Sequence, residues 1–105
     1  MLLDELKQDQ LIRLRFIEAM LVMTNNVNRM DISDQFDVAP ACASRDLKRY
    51  MELNPGIEYC PSRRTYCKTT EFRVVKGLVM CKYQDFLKAL TVVTTNPINI
   101  NGHIL

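Results

Sequence analysis

The chain has 105 residues, 48% of them apolar and 25% charged, with a net charge of +2 at pH 7. That is enough for one packed domain and too little for two, and the mix excludes a disordered, collagen-like or rod-like chain. No apolar run approaches the ~20 residues that cross a bilayer. The first ten residues carry Asp4, Glu5 and Asp9 and lack the basic start and small-residue cleavage site of an export signal, so the expected location is the cytoplasm.

Leu11, Leu14, Ile17 and Leu21 recur every three or four residues, with Phe16, Met20 and Met23 as an adjacent stripe, which predicts a helix over residues 4–24. From Phe16 to Met23 its only charge is Glu18, so its apolar surface is wider than one core contact needs. Two placements satisfy this: deep burial in its own chain, or additional packing against a second subunit. Thr24, Asn25 and Asn26 break the pattern. Residues 28–36 read as a short second helix capped by Asn28 or Asp31, with Met30, Ile32 and Phe36 inward and Asp37 in the turn. A third helix starts around Pro40, whose missing N–H is no loss in a first turn. Ala43, Leu47, Tyr50 and Met51 form its inward face, leaving Ala41, Ser44, Arg45, Lys48 and Arg49 outside. Asn54-Pro55-Gly56 ends it.

Residues 57–60 and 65–68 read as strands joined by Pro61-Ser62-Arg63-Arg64, with Tyr59 and Tyr66 as cross-strand neighbours. Residues 72–76 are a partly extended connector, and residues 84–93 a further helix with Phe86, Leu87 and Leu90 apolar. Residues 96–105, with Pro97 and Gly102, read as an extended tail or edge strand. Cys42, Cys60, Cys67 and Cys81 lack the paired spacing of a zinc site. They are expected to be reduced, mostly buried thiols acting as small hydrophobes, although Cys60 and Cys67 could face each other across the hairpin. His103 is the only histidine, and no phosphate-binding glycine loop or nucleophile–base pair is legible, so no catalytic residue, metal or cofactor is expected.

The order of helix, short helix, turn, helix and basic hairpin is that of a winged helix-turn-helix. The expected fold is therefore mainly α with a small β-hairpin and an additional C-terminal helix. Ile32, Phe36, Val38, Ala43 and Leu47 would fill the wedge between the crossing helices, and the small Ser33 and Ala43 would permit close approach. Asp37 stands where glycine is common, tolerable because aspartate can enter the left-handed region. Residues 1–38 hold four basic side chains against seven acidic, and residues 39–105 ten against five. This asymmetry suits a basic face for a polyanion, though solvated surface would also produce it. Arg45 and Arg49 share a face with Lys48 beside them, and arginine can donate two hydrogen bonds to guanine. Ser44 and the helix start can hold phosphates, and Arg63 and Arg64 tip the hairpin. Each has a plainer role as well: Arg45 could pair with Asp46 or Asp34, and Lys48 and Arg49 could be solvated charges.

The segment Asp37-Val38-Ala39-Pro40-Ala41-Cys42-Ala43-Ser44-Arg45-Asp46-Leu47-Lys48-Arg49-Tyr50 resembles the recognition segment of DeoR-type winged-helix repressors. A nearer likeness is to the N-terminal domain of WYL-domain transcriptional repressors, which include regulators of bacterial anti-phage defence operons. It is carried by Leu14-Arg15-Phe16-Ile17, Val27-Asn28-Arg29, Asp46-Leu47-Lys48-Arg49-Tyr50 and Ile57-Glu58-Tyr59 with Tyr66, and covers residues 11–75. The resemblance implies that residues 40–49 read double-stranded DNA, with Pro40, Ala41, Ser44, Arg45, Lys48 and Arg49 in contact and Arg63 and Arg64 as the wing. It also implies binding as a homodimer. The expected division is a DNA-binding domain over residues 1–76 and a C-terminal helix and tail over 77–105 that dimerises together with the first helix. A chain of this length is expected to lack the ligand-sensing WYL domain, so no small-molecule effector is expected.

These readings converge on a dimeric, sequence-specific regulator, a repressor on an inverted-repeat operator. The alternative is a winged-helix interaction module that sequesters another regulator, with the apolar first helix turned toward a foreign partner.

Overall fold

The computed structural model describes residues 7–79, 81–93, 99–100 and 103–104. Four helices run through it: α1 (Gln8–Thr24), α2 (Arg29–Phe36), α3 (Pro40–Leu53) and α4 (Tyr83–Val93). The strands are β1 (Asn26–Val27), β2 (Ile57–Cys60), β3 (Thr65–Lys68), β4 (Asn99–Ile100) and β5 (His103–Ile104). β1, β3 and β2 form an antiparallel sheet in that order, and β4 pairs with β5. The expected fold class holds: mainly helical, with a small antiparallel sheet.

The sequence logic of each element is visible in its ends. α1 starts later than its apolar periodicity suggested, because Lys7 is already extended and its backbone N–H donates to Gln10 Oε1 at 3.1 Å. Residues 4–6 of the expected helix lie outside the described ones. Asn25 closes α1 in the left-handed conformation, which asparagine tolerates better than most residues. Asn28 caps α2 reciprocally with Asp31, each side chain accepting from the other's backbone N–H at 2.9 Å. Asp37 takes the left-handed turn, and Ser33 Oγ, pressed against it, donates to Val38 O at 2.5 Å. α3 runs to Leu53 before Asn54-Pro55-Gly56 stops it.

β1 was not legible in the sequence. Two residues are too few to show strand alternation, yet Asn26 pairs with Cys67 and fully buried Val27 with Tyr66, tying the end of α1 to the hairpin. The tail extends as expected at 99–100 and 103–104, where it pairs with itself; residues 94–98, 101, 102 and 105 lie outside the described ones.

The core is built around α1. Leu11, Leu14, Phe16, Ile17, Ala19 and Leu21 are all buried within the one chain. Phe16 meets Phe36 of α2 edge-on, with ring centroids 5.3 Å apart, and α4 packs on α1 with Leu87 and Leu90 in the same core. Within the one chain this stripe of α1 is deeply buried, while Ile12, Met20 and Met23 remain half-buried.

The single charge in the apolar stretch becomes a hub. Glu18 is fully buried, and its Oε1 accepts from Tyr50 OH at 2.8 Å and from Val75 N at 2.6 Å, while Oε2 accepts from Tyr83 OH at 3.0 Å. One carboxylate thus joins α1, α3, the 72–76 connector and α4. Burial, then the neighbouring charge of Glu18, pushes the Tyr83 hydroxyl up to about 12 and raises that of Tyr50 further. A second buried contact links the same two helices. Arg13 Nε donates to Asp46 Oδ2 at 2.5 Å, with both side chains at least nine-tenths covered. Asp46 is therefore spent on Arg13 and not on its neighbour Arg45.

Two further expectations are corrected. Met30 is 46% exposed, because an eight-residue helix buries one stripe, here Ile32, Ser33 and Gln35, and Met30 lies on the far side of the axis from Ile32. The thiols are not core groups: Cys42, Cys60 and Cys67 are half-buried and Cys81 is exposed, with Cys60 and Cys67 on the hairpin face opposite the Tyr59–Tyr66 pair.

Two substitutions test this packing. Asp46→Ala leaves the buried Arg13 cation with only the exposed Asp9 at 3.8 Å and is expected to cost about 3–5 kcal/mol in urea unfolding. Gly56→Ala would place a Cβ 2.5 Å from Phe72 Cα and N, so backbone must move. It is expected to cost about 1–3 kcal/mol, with a fall in melting temperature of about 4–8 °C per kcal/mol.

Candidate nucleic-acid interface

α3 is fixed in rotation by what it buries. Ala43, Asp46, Leu47 and Tyr50 recur at three- and four-residue spacing and face inward. Ala41, Arg45 and Lys48 are exposed on the opposite side, with Ser44 and Arg49 half-buried at its edges. Spacings of three and four residues put Ala41, Ser44, Arg45 and Lys48 on one stripe. Pro40 is the first helical residue and is exposed, and Ala39 provides no side-chain cap at the start of α3.

The hairpin stands beside this stripe. β2 and β3 pair in the expected register, with Tyr59 opposite Tyr66 and their rings 4.8 Å apart. The turn closes with Arg63 N donating to Cys60 O at 3.2 Å. Arg64 sits at φ 53°, in the left-handed region that an arginine enters only at a cost. Both turn arginines are exposed.

Between helix and hairpin lies an open cleft of about 500 Å³, lined by Asn28, Arg29, Met30, Ser44, Tyr59, Arg63, Arg64 and Tyr66. Among the described residues, three cations and no carboxylate line it. Of the residues singled out from the sequence, the cleft brings together Ser44, Arg63 and Arg64. Ala41, Arg45 and Lys48 continue from Ser44 along α3, outside the cleft lining. Pro40 marks the near end of the helix, and Arg49 flanks the stripe one turn beyond Arg45.

Sequence reasoning missed the third wall. Asn28, Arg29 and Met30 open α2 at the cleft, and Tyr59 contributes a 46% exposed ring. A usable signal was present: a capped helix start with a cation and a large apolar side chain in its first turn, on a helix too short to bury both. The surface is also concave where α3 meets the wing, so the basic groups frame a trough instead of crowning one ridge.

A short second helix, a three-residue turn, a third helix with a basic outer stripe and an arginine-tipped hairpin define a winged helix-turn-helix domain. Residues 9–91 match the family described as the BrxR transcriptional regulator winged helix-turn-helix domain, and the chain belongs to that family. It is similar to the DNA-binding transcriptional repressor CapW of Stenotrophomonas maltophilia, 32% identical over 80 residues, which make up 74% of this chain and 27% of the relative. It is likewise similar to CapW of Escherichia coli strain KTE188, 34% identical over 79 residues, or 72% of this chain and 26% of the relative. The chain thus spans about a quarter of the length of these relatives.

The strained turn residue gives a direct test of how the tip is built. Arg64→Gly relieves the left-handed penalty, partly offset by the greater freedom of an unfolded glycine, and is expected to stabilise the domain by about 0.5–1 kcal/mol in urea unfolding.

Proposed function

We propose that this domain binds double-stranded DNA as the reading head of a transcriptional repressor. The observation that carries the proposal is the continuity of the cleft with the outer stripe of α3. Arg29, Ser44, Arg63 and Arg64 are gathered in one trough, and Ala41, Arg45 and Lys48 extend from it along the helix. A helix presenting such a stripe fits the major groove, where Arg45 has the chemistry to donate to guanine O6 and N7. Ser44, Lys48, Arg49 and the start of α3 at Pro40 and Ala41 suit phosphate oxygens. Arg63 and Arg64 then lie over the neighbouring backbone or minor groove, and Arg29 clamps the near strand. The relatives' names, each a DNA-binding transcriptional repressor, support the same reading.

The reading includes a homodimer on an inverted repeat, with half-sites about one helical turn, or a multiple of it, apart. The division of labour is a DNA-binding part over residues 1–76 and a dimer contact from residues 77–105. α1 is the other candidate for that contact: one stripe of it is buried in its own chain, and Ile12, Met20 and Met23 are left half-buried.

Selection of bound sequences from a random DNA pool tests the whole reading, and palindromic winners are the expected result. On a selected duplex, Arg45→Ala and Lys48→Ala are each expected to weaken binding by about 1–3 kcal/mol without lowering the melting temperature. Affinity is expected to fall by roughly a thousandfold between 50 and 200 mM salt if about six phosphates are neutralised. Wild-type affinity for both variants, or indifference to salt, would show that α3 is not the reading helix.

A further inference from the structure

The wing carries a second chemistry on its other face. The register pairs Cys60 with Thr65 and Glu58 with Cys67, so alternation puts Cys60 and Cys67 together on the face opposite the Tyr59–Tyr66 pair. There Cys60 Sγ lies 3.3 Å from Ser62 Oγ. Arg63 donates from Nη2 to Cys67 Sγ at 3.2 Å, and its backbone N–H donates to Cys60 O at 3.2 Å, which seats this arginine at the turn beside both cysteines. Arg63 thus belongs both to this thiol cluster and to the residues that line the basic cleft. Hydrogen bonding from Ser62, then from Arg63, pulls the Cys60 thiol down to about 7. A thiolate held beside a cation is the reactive form of cysteine.

The pair is not arranged to close on itself. Cys60 and Cys67 are diagonal neighbours, and diagonal Cβ atoms on a sheet stand about 7 Å apart, whereas a disulfide needs about 4 Å. Chemistry at this site is thus directed to an outside partner.

We propose that Cys60 is a modification site for small-molecule disulfides, and that loading it weakens the wing's hold on duplex DNA. The Cys60 thiolate attacks one sulfur of the disulfide. The old S–S bond breaks, a new one joins Cys60 to half of the reagent, and the other half departs as a thiolate that takes up the proton Cys60 released to solvent. The Cys60 sulfur is oxidised, the departing sulfur is reduced, and excess small-molecule thiol reverses the step. With a peptide disulfide such as glutathione disulfide, the adduct brings bulk and negative charge against Arg63 and Arg64, the two cations the wing offers to phosphates. The second half of the proposal rests on the duplex-binding reading above; the first half does not.

The test uses the full chain, glutathione disulfide at pH 7 and peptide mapping by mass spectrometry. At that pH about half of Cys60 is thiolate against a few per cent for an ordinary thiol. The lower intrinsic nucleophilicity of the acidic thiol offsets part of this advantage, leaving Cys60 to react roughly threefold faster than the exposed Cys81. Arg63→Gln is expected to slow Cys60 and move the midpoint of its rate–pH profile upward. Cys60 reacting no faster than Cys81, or indifferent to Arg63→Gln, overturns the site. On a random duplex at low salt, the adduct is expected to weaken binding several-fold, with treated Cys60→Ser unaffected. Rapid loading with unchanged duplex affinity overturns the coupling. If the untreated protein binds no duplex, the DNA reading and the coupling fall together, while the labelling order still decides the thiol site.

Discussion

Arg13 and Asp46 meet inside the domain, a cation and an anion removed from water together, and their contact fixes which side of α3 looks outward. Buried ion pairs of this kind add little net stability compared with apolar packing, but neither partner can be withdrawn cheaply. That asymmetry is what makes the contact a constraint. Asp46 must face α1, so its helical neighbours Ala43, Leu47 and Tyr50 must do so too, and Ala41, Arg45 and Lys48 are left with no choice but solvent. Glu18 repeats the device a turn further along, taking Tyr50 from α3 and Tyr83 from α4. The two contacts occur in the same order along both helices, so they set the slide of α3 as well as its rotation.

Much of this is legible in the chain itself. The hairpin boundaries, the inward face of α3, the left-handed Asp37 and the Tyr59–Tyr66 pair all follow from local chemistry: turn residues, periodicity and strand alternation. What was hidden depends on partners distant in sequence. Glu18 reads only as a lone charge in an apolar helix, because its three donors come from residues 50, 75 and 83. Arg13 and Asp46 each look like surface charges until the fold brings them together. β1 is too short to show a period, and its strand character is imposed by β3. Hydrophobicity alone places Met30 inward, and the geometry of a two-turn helix overrides it.

The candidate interface shows the same division between local and assembled features. The stripe on α3 and the arginines of the turn are sequence-local. The cleft exists only because the start of α2 comes up beside them, contributing Arg29 and Met30. Arg64 is held in a backbone conformation that glycine would occupy more comfortably, and in exchange the tip carries a second guanidinium. Stability has been given up there for charge.

The base of the wing explains why that charge is well aimed. Asn54, just past α3, donates to Arg73 O at 2.6 Å and accepts from Gly56 N at 3.3 Å, and Thr69 N donates to Gly56 O at 2.9 Å. The backbone of Phe72 lies so close to Gly56 that no side chain fits between them. The hairpin is therefore riveted to the end of α3 instead of swinging from a loose hinge. A ligand that engages helix and tip at once meets two surfaces already at their working separation, and little conformational freedom is left to surrender on association.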